Sequence, residues 1–195
     1  MMPSFRYPAC MALIQVLIVA LALFGAAPWD GAVRPAAAQA LPRVIEGRAI
    51  DVADGDTFVL LDDLGKRWRV RLAGIDAPES SQPWADRSRQ KLREWLSDER
   101  VLLAPIKTDP YGRLVARILV PSADPASERV DAGLMLVESG LAWHFKRYKA
   151  DQSPAEFAAF AEAENRARQA HRGLWSEPDP EPPWAYRERQ RAARR

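Results

Sequence analysis

Three short stretches of the sequence concentrate side chains able to act on a phosphate ester: Asp54-Gly55-Asp56-Thr57, Arg71-Leu72-Ala73-Gly74-Ile75-Asp76-Ala77-Pro78-Glu79 and Tyr111-Gly112-Arg113. Taken singly, each has an ordinary structural reading: a hairpin turn, a turn held by Pro78, the start of a strand. The first is not an EF-hand loop, because Phe58 stands where the third ligand belongs. Together they form a chemical set. Asp56 and Asp76 are hard oxygen ligands suited to Ca²⁺ or Mg²⁺. Ala77 precedes a proline, which biases its backbone to an extended form that can present its carbonyl. Glu79 stands three residues beyond Asp76, near enough to share a site in another role. Arg71 and Arg113 are permanently charged forks that fit phosphate oxygens. Two carboxylates for a metal, one as a base and two arginines suit phosphodiester hydrolysis.

The elements that must carry these residues are short. Val44 to Val52 reads as a strand running into the Asp-Gly turn, and Thr57 to Leu61 as a second strand. Asp62-Asp63-Leu64-Gly65 turns the chain again. From Lys66 to Leu72, Trp68, Val70 and Leu72 alternate with Arg67, Arg69 and Arg71, the period of a half-buried strand. Trp84, Ser88, Lys91 or Leu92, and Trp95 or Leu96 then recur at helical spacing. Two further strands follow, Arg100 to Ile106 and Arg113 to Val120. The spacing predicts a second helix from Ser127 to Ser139, closed by Gly140. Ser153-Pro154-Ala155-Glu156 predicts a third helix through a capping box, running to about Ala170. This order is compatible with an α+β, mostly β fold: a five-stranded oligonucleotide-binding barrel (OB-fold) with about three helices. Periodicity alone leaves closure of the barrel open.

The chain has 195 residues, formal net charge +2 and one cysteine. Near-neutrality disfavours a binder that coats nucleic acid by bulk charge. One cysteine excludes a disulfide scaffold or a cysteine-based zinc site. The charge is uneven: residues 41–180 carry a slight excess of acid. Residues 181–195 carry Arg187, Arg189, Arg191, Arg194 and Arg195 against Glu181 and Glu188. At the other end, Ala9 to Ala27 is an uncharged apolar run containing Cys10, and a small-x-small site ends at Ala40. The expectation is a signal peptide over 1–40, with the alternative of an uncleaved membrane anchor, and hence an exported, periplasmic or secreted, body. Residues 41–176 form the expected domain, and 177–195 a Pro-rich linker and basic tail. His144 and His171 are isolated and read as packing or capping residues.

The three motifs, in this order, resemble the staphylococcal nuclease-like (thermonuclease) family, as do Gly140-Leu141-Ala142-Trp143 and Gly173-Leu174-Trp175. The likeness covers roughly residues 43–176. It implies the oligonucleotide-binding barrel and Ca²⁺-dependent hydrolysis of DNA and RNA to 3′-phosphate ends. Residue by residue, it implies Asp56 and Asp76 as calcium carboxylates and Ala77 as a carbonyl ligand. Asp54 becomes an acidic residue behind the metal, Glu79 the general base, Arg71 and Arg113 phosphate clamps, and Tyr111 a neighbour of the nucleotide. Ala77 replaces a threonine of the best-known member, and Pro110 replaces a lysine. The expected partner is DNA or RNA, the expected state a monomer with no protein partner, and membrane contact only with an uncleaved N-terminus. The competing reading is a non-catalytic nucleic-acid-binding module on the same barrel, which the intact site set disfavours.

Overall fold

The computed structural model describes residues 41–97, 100–122 and 127–195. The apolar run, Cys10 and the cleavage point of the expected signal peptide lie outside the described residues. Strands β1 (Ile45–Val52), β2 (Thr57–Asp62) and β3 (Arg67–Leu72) form an antiparallel meander. The turn between β2 and β3 is built by one side chain. Asp62 Oδ1 accepts the Leu64 and Lys66 amides at 3.0 and 2.8 Å, and its Oδ2 accepts Trp68 Nε1–H at 2.8 Å. β4 is the two-residue strand Ile75–Asp76. β5 (Val101–Thr108) and β6 (Leu114–Pro121) pair as a hairpin whose register shifts between Pro105 and Lys107. A bulge is where a mid-strand proline does least harm, since it has no amide to give the ladder.

The sheet runs β3-β2-β1-β5-β6-β7, with β7 at Arg129–Asp131. A parallel pairing of β3 with β6 joins Val70, Arg71 and Leu72 to Leu114, Val115 and Ala116. That pairing closes a five-stranded barrel of mixed direction, as expected for the oligonucleotide-binding fold. Period-two patterning fills its inside: Phe58, Leu60, Val70, Val101, Leu103, Ala116 and Ile118 are fully buried. Each such leucine or phenylalanine contributes about 1.5–3 kcal/mol through removal from water.

Three helices extend this core. α1 (Ala85–Leu96) inserts Leu92 and Leu96, α2 (Ala132–Glu138) inserts Leu136 and Val137, and α3 (Pro154–Gln169) inserts Phe160 and Ala163. α3 begins at the predicted capping box, Ser153 with Glu156. Glu156 also pairs with Arg117 of β6, tying the helix to the barrel. The expected start of the second helix at Ser127 is corrected. Arg129–Asp131 pairs with β6 as β7, and Asp131 is the N-cap, its carboxylate accepting the Gly133 and Leu134 amides at 2.7 and 3.2 Å. Gly140 ends the next turn with φ 67°, and a side chain there would meet the Arg172 carbonyl oxygen at 2.1 Å. That close approach lets Leu174 N–H donate to Gly140 O at 2.8 Å. It fixes the segment beneath α3, where Trp143 of β8 (Trp143–His144), Ala167, Leu174 and Trp175 form a second cluster.

The basic C-terminus is a helix, α4 (Pro183–Ala193). It docks through Trp184, whose ring lies 5.6 Å from Trp143 and 5.5 Å from Phe145, centroid to centroid.

Candidate active site

All eight residues expected at the site line one open cleft of about 1800 Å³. Its floor is made by the turn between β1 and β2, by β3 and by β4. Asp56 stands one residue before β2, in a turn whose Gly55 approaches α1 so closely that a side chain would fall 2.0 Å from Ser88 Oγ. Asp54 Oδ1 accepts the Asp56 amide at 3.0 Å, folding the turn on itself. Asp56 Oδ2 accepts the Ala77 amide at 2.8 Å, which ties the turn to the segment carrying Asp76 and Glu79. Asp76 ends β4, which pairs with β8 and is only 1% exposed.

Arg71 binds this floor together. Its Nη1 lies 2.9 Å from Asp56 Oδ2, and its Nη2 donates to Asp76 Oδ1 at 2.9 Å. Nη1 also donates to the Leu72 carbonyl at 3.1 Å. Closure of the barrel brings β6 beside β3, so Arg113 enters the same cleft from the β5–β6 turn. Arg113 is held apart from the carboxylates by its own partner. Its Nε donates to Asp109 Oδ2 at 2.8 Å, while Asp109 Oδ1 accepts the Tyr111 and Arg113 amides. Tyr111 is 75% exposed, with the Arg113 guanidinium 5.6 Å from its ring centre. The structure therefore gathers Asp54, Asp56, Arg71, Asp76, Ala77 and Glu79 into one network, with Arg113 and Tyr111 lining the same cleft.

Burial, followed by the charge of Asp56, pushes the Asp54 carboxyl up to about 6. Burial also raises Asp76, against the opposing hydrogen bond from Arg187. Crowded, desolvated carboxylates of this kind suit a hard divalent cation, which would relieve the excess negative charge. Among the described residues no group of three or more His, Cys, Asp or Glu is arranged to hold a metal ion. A cation on Asp56 and Asp76 would complete its shell from backbone oxygen and water, as six- to eight-coordinate calcium commonly does.

Two residues of this network were not singled out from sequence. Gln82 accepts the Glu79 amide on its Oε1 at 2.9 Å and donates from Nε2 to the Glu181 carbonyl at 2.9 Å, joining the Glu79 loop to the C-terminal segment. Arg187 of α4 donates to Glu79 Oε1 and Asp76 Oδ2, each at 2.7 Å. A signal for the helix existed in Pro182-Pro183 followed by Trp184-Ala185, since proline favours the first helical position. Nothing in it pointed to the partner of Arg187.

Residues 69–177 match the family model described as staphylococcal nuclease homologue. The chain belongs to this family. Relatives fit the assignment. An uncharacterized endonuclease of Escherichia coli O157:H7 is 33% identical over 145 residues, covering 74% of this chain and 86% of that protein. A micrococcal nuclease of Shigella flexneri is 34% identical over 143 residues, 72% of this chain and 79% of that one. A probable staphylococcal-like nuclease of Oryza sativa subsp. japonica is 36% identical over 131 residues, 67% of this chain and 32% of the plant protein. As a staphylococcal nuclease homologue the protein is a nuclease, an enzyme that hydrolyses phosphodiester bonds of nucleic acid. Nucleases of this family generally depend on a metal ion. The matched segment contains Arg71, Asp76, Ala77, Glu79, Tyr111 and Arg113 and ends before α4 begins.

Proposed function

We propose that this nuclease is an exported, Ca²⁺-dependent enzyme acting on DNA, RNA or both and leaving 3′-phosphate ends. The observation that carries the reading is the convergence of Asp56 and Asp76 on Arg71 in a cleft that Glu79 and Arg113 also line. Asp56, Asp76 and the Ala77 carbonyl are the residues that would hold the ion, with Asp54 behind them. Bound there, calcium supplies positive charge against the scissile phosphate.

The remaining work falls to the side chains. Glu79, held by the Gln82 contact to its amide, takes a proton from the attacking water. The water oxygen bonds to phosphorus, the bond from phosphorus to the 5′ oxygen breaks, and that oxygen leaves with a proton from solvent. The phosphate stays on the 3′ side. Arg71, oriented by Asp56 and Asp76, offsets the negative charge that builds on the phosphate oxygens. Arg113, oriented by Asp109, does the same from the β5–β6 turn. Tyr111 offers an exposed ring beside Arg113 for contact with the nucleotide.

The export reading is supported by the apolar run Ala9 to Ala27 and the Ala38-Gln39-Ala40 site. Hydrolysis of single-stranded DNA by purified protein tests the catalytic reading. Chelator should abolish cleavage and added Ca²⁺ restore it, with products that lose their terminal phosphate to a 3′-phosphatase. Cleavage indifferent to chelator would overturn the calcium assignment. Mass spectrometry of the native amino terminus tests export, with Leu41 as the expected first residue.

A further inference from the structure

The helix α4 lies outside the residues that match the family model, and no step above requires it. It nevertheless sends one side chain into the centre of the site. Arg187 Nη2 donates to Asp76 Oδ2 at 2.7 Å and Nη1 to Glu79 Oε1 at 2.7 Å; Nη1 also reaches Asp76 Oδ1 at 3.2 Å. One guanidinium thus touches both oxygens of a metal carboxylate and one oxygen of the base. Arg71 Nη2 also donates to Asp76 Oδ1 at 2.9 Å, so the two oxygens of this 1% exposed carboxylate are already shared between two guanidinium groups.

A divalent cation needs the same oxygens at about 2.3–2.6 Å. A guanidinium hydrogen-bonded to both oxygens of Asp76 excludes it there. The start of α4 is secured separately: Trp184 lies on Trp143 and Phe145, and the Glu181 carbonyl just ahead of the helix accepts from Gln82. The helix is therefore tethered at its start, while Arg187 sits one turn further on. Gln82 contacts both the Glu79 amide and the chain leading into α4, so the loop of the base and the C-terminal helix are mechanically joined.

We propose that α4 is an intramolecular cap: Arg187 and calcium compete for the Asp76 carboxylate, and Arg187 must leave it for calcium to enter. The inference rests on the calcium reading given above. It makes metal binding a competition, so the apparent affinity for calcium is reduced by the fraction of molecules in which the cap is closed.

The test uses the full chain and two measurements that need no turnover. Calcium affinity is measured by titration calorimetry for the wild type, Arg187→Ala, Arg187→Lys and a charge-matched change at the helix end, Arg194→Ala. Hydrogen exchange of residues 183–193 is followed with and without calcium. Arg187→Ala and Arg187→Lys should both bind calcium more tightly, by about 5- to 150-fold, the usual range of a coupling between two ligands. Lysine keeps the charge and loses the fork, so tighter binding by Arg187→Lys separates competition from simple charge repulsion. Arg194→Ala should match the wild type, and calcium should lower amide protection in α4. Equal affinities in wild type and both Arg187 variants, or protection of α4 unchanged by calcium, would overturn the cap while leaving the calcium reading intact. No calcium binding by any of these proteins would overturn both.

Discussion

The cleft has two walls of different construction. Its floor is part of the barrel: Asp56, Arg71 and Asp76 sit at the ends of strands whose alternate side chains are fully buried, and each is held by two or more partners. The wall made by α4 rests on the Trp184 ring against Trp143 and Phe145, a pair of ion contacts at Arg187 and a short bridge through Gln82. Moving the floor means unpairing β3 from β6 and opening the core. Moving α4 exposes little, since Pro183 is the only buried residue in the helix. The first wall carries geometry that chemistry needs to be constant, and the second is built at the low-stability end, where a local opening is cheap.

Substitutions can break or sharpen that contrast. The largest effect is expected on the floor's own chemistry: Glu79→Gln should lower the hydrolysis rate by about 10²–10⁴, the usual contribution of a positioned base. Activity within tenfold of wild type in a steady-state assay would remove Glu79 from that role. Next, Phe58→Ala should destabilise the whole fold by about 3–5 kcal/mol in denaturant unfolding, because it leaves a cavity inside the barrel. Gly140→Ala should cost about 1–2 kcal/mol or more, since alanine at φ 67° is strained and its methyl meets the Arg172 carbonyl. The smallest effect belongs to the tail: Trp184→Ala should cost about 0.5–1.5 kcal/mol, the worth of an aromatic contact on a partly exposed ring. A global loss as large as that from Phe58→Ala would show that α4 is part of the core and erase the distinction between the walls.

Much of the barrel was legible because its signals are local. The alternation from Arg67 to Leu72 reports which side chains face the core, and Asp62 builds its turn with atoms a few residues away. The capping box at Ser153 is complete within four residues. The start of α2 was misread because Val130 and Leu134 share a helical spacing. The chain instead spends Arg129–Asp131 pairing with β6, and Asp131 then starts the helix. The carboxylates, arginines and Glu79 were legible as a set through residue type and order, and their meeting depended on contacts no window of sequence contains.

By itself, the sequence determined the strand faces, the nuclease family and a candidate set of carboxylates and arginines, because each depends on residue type and short spacing. Tertiary structure decided closure of the barrel, since the β3–β6 pairing joins strands more than forty residues apart and is stabilised only once the core is buried between them. That closure turns Arg113 toward the cleft whose floor holds Arg71. Tertiary structure also decided the place of Arg187. Five arginines near the C-terminus are only a basic tail until Trp184 finds Trp143 and Phe145, and a long-range ion pair has no local signature to read.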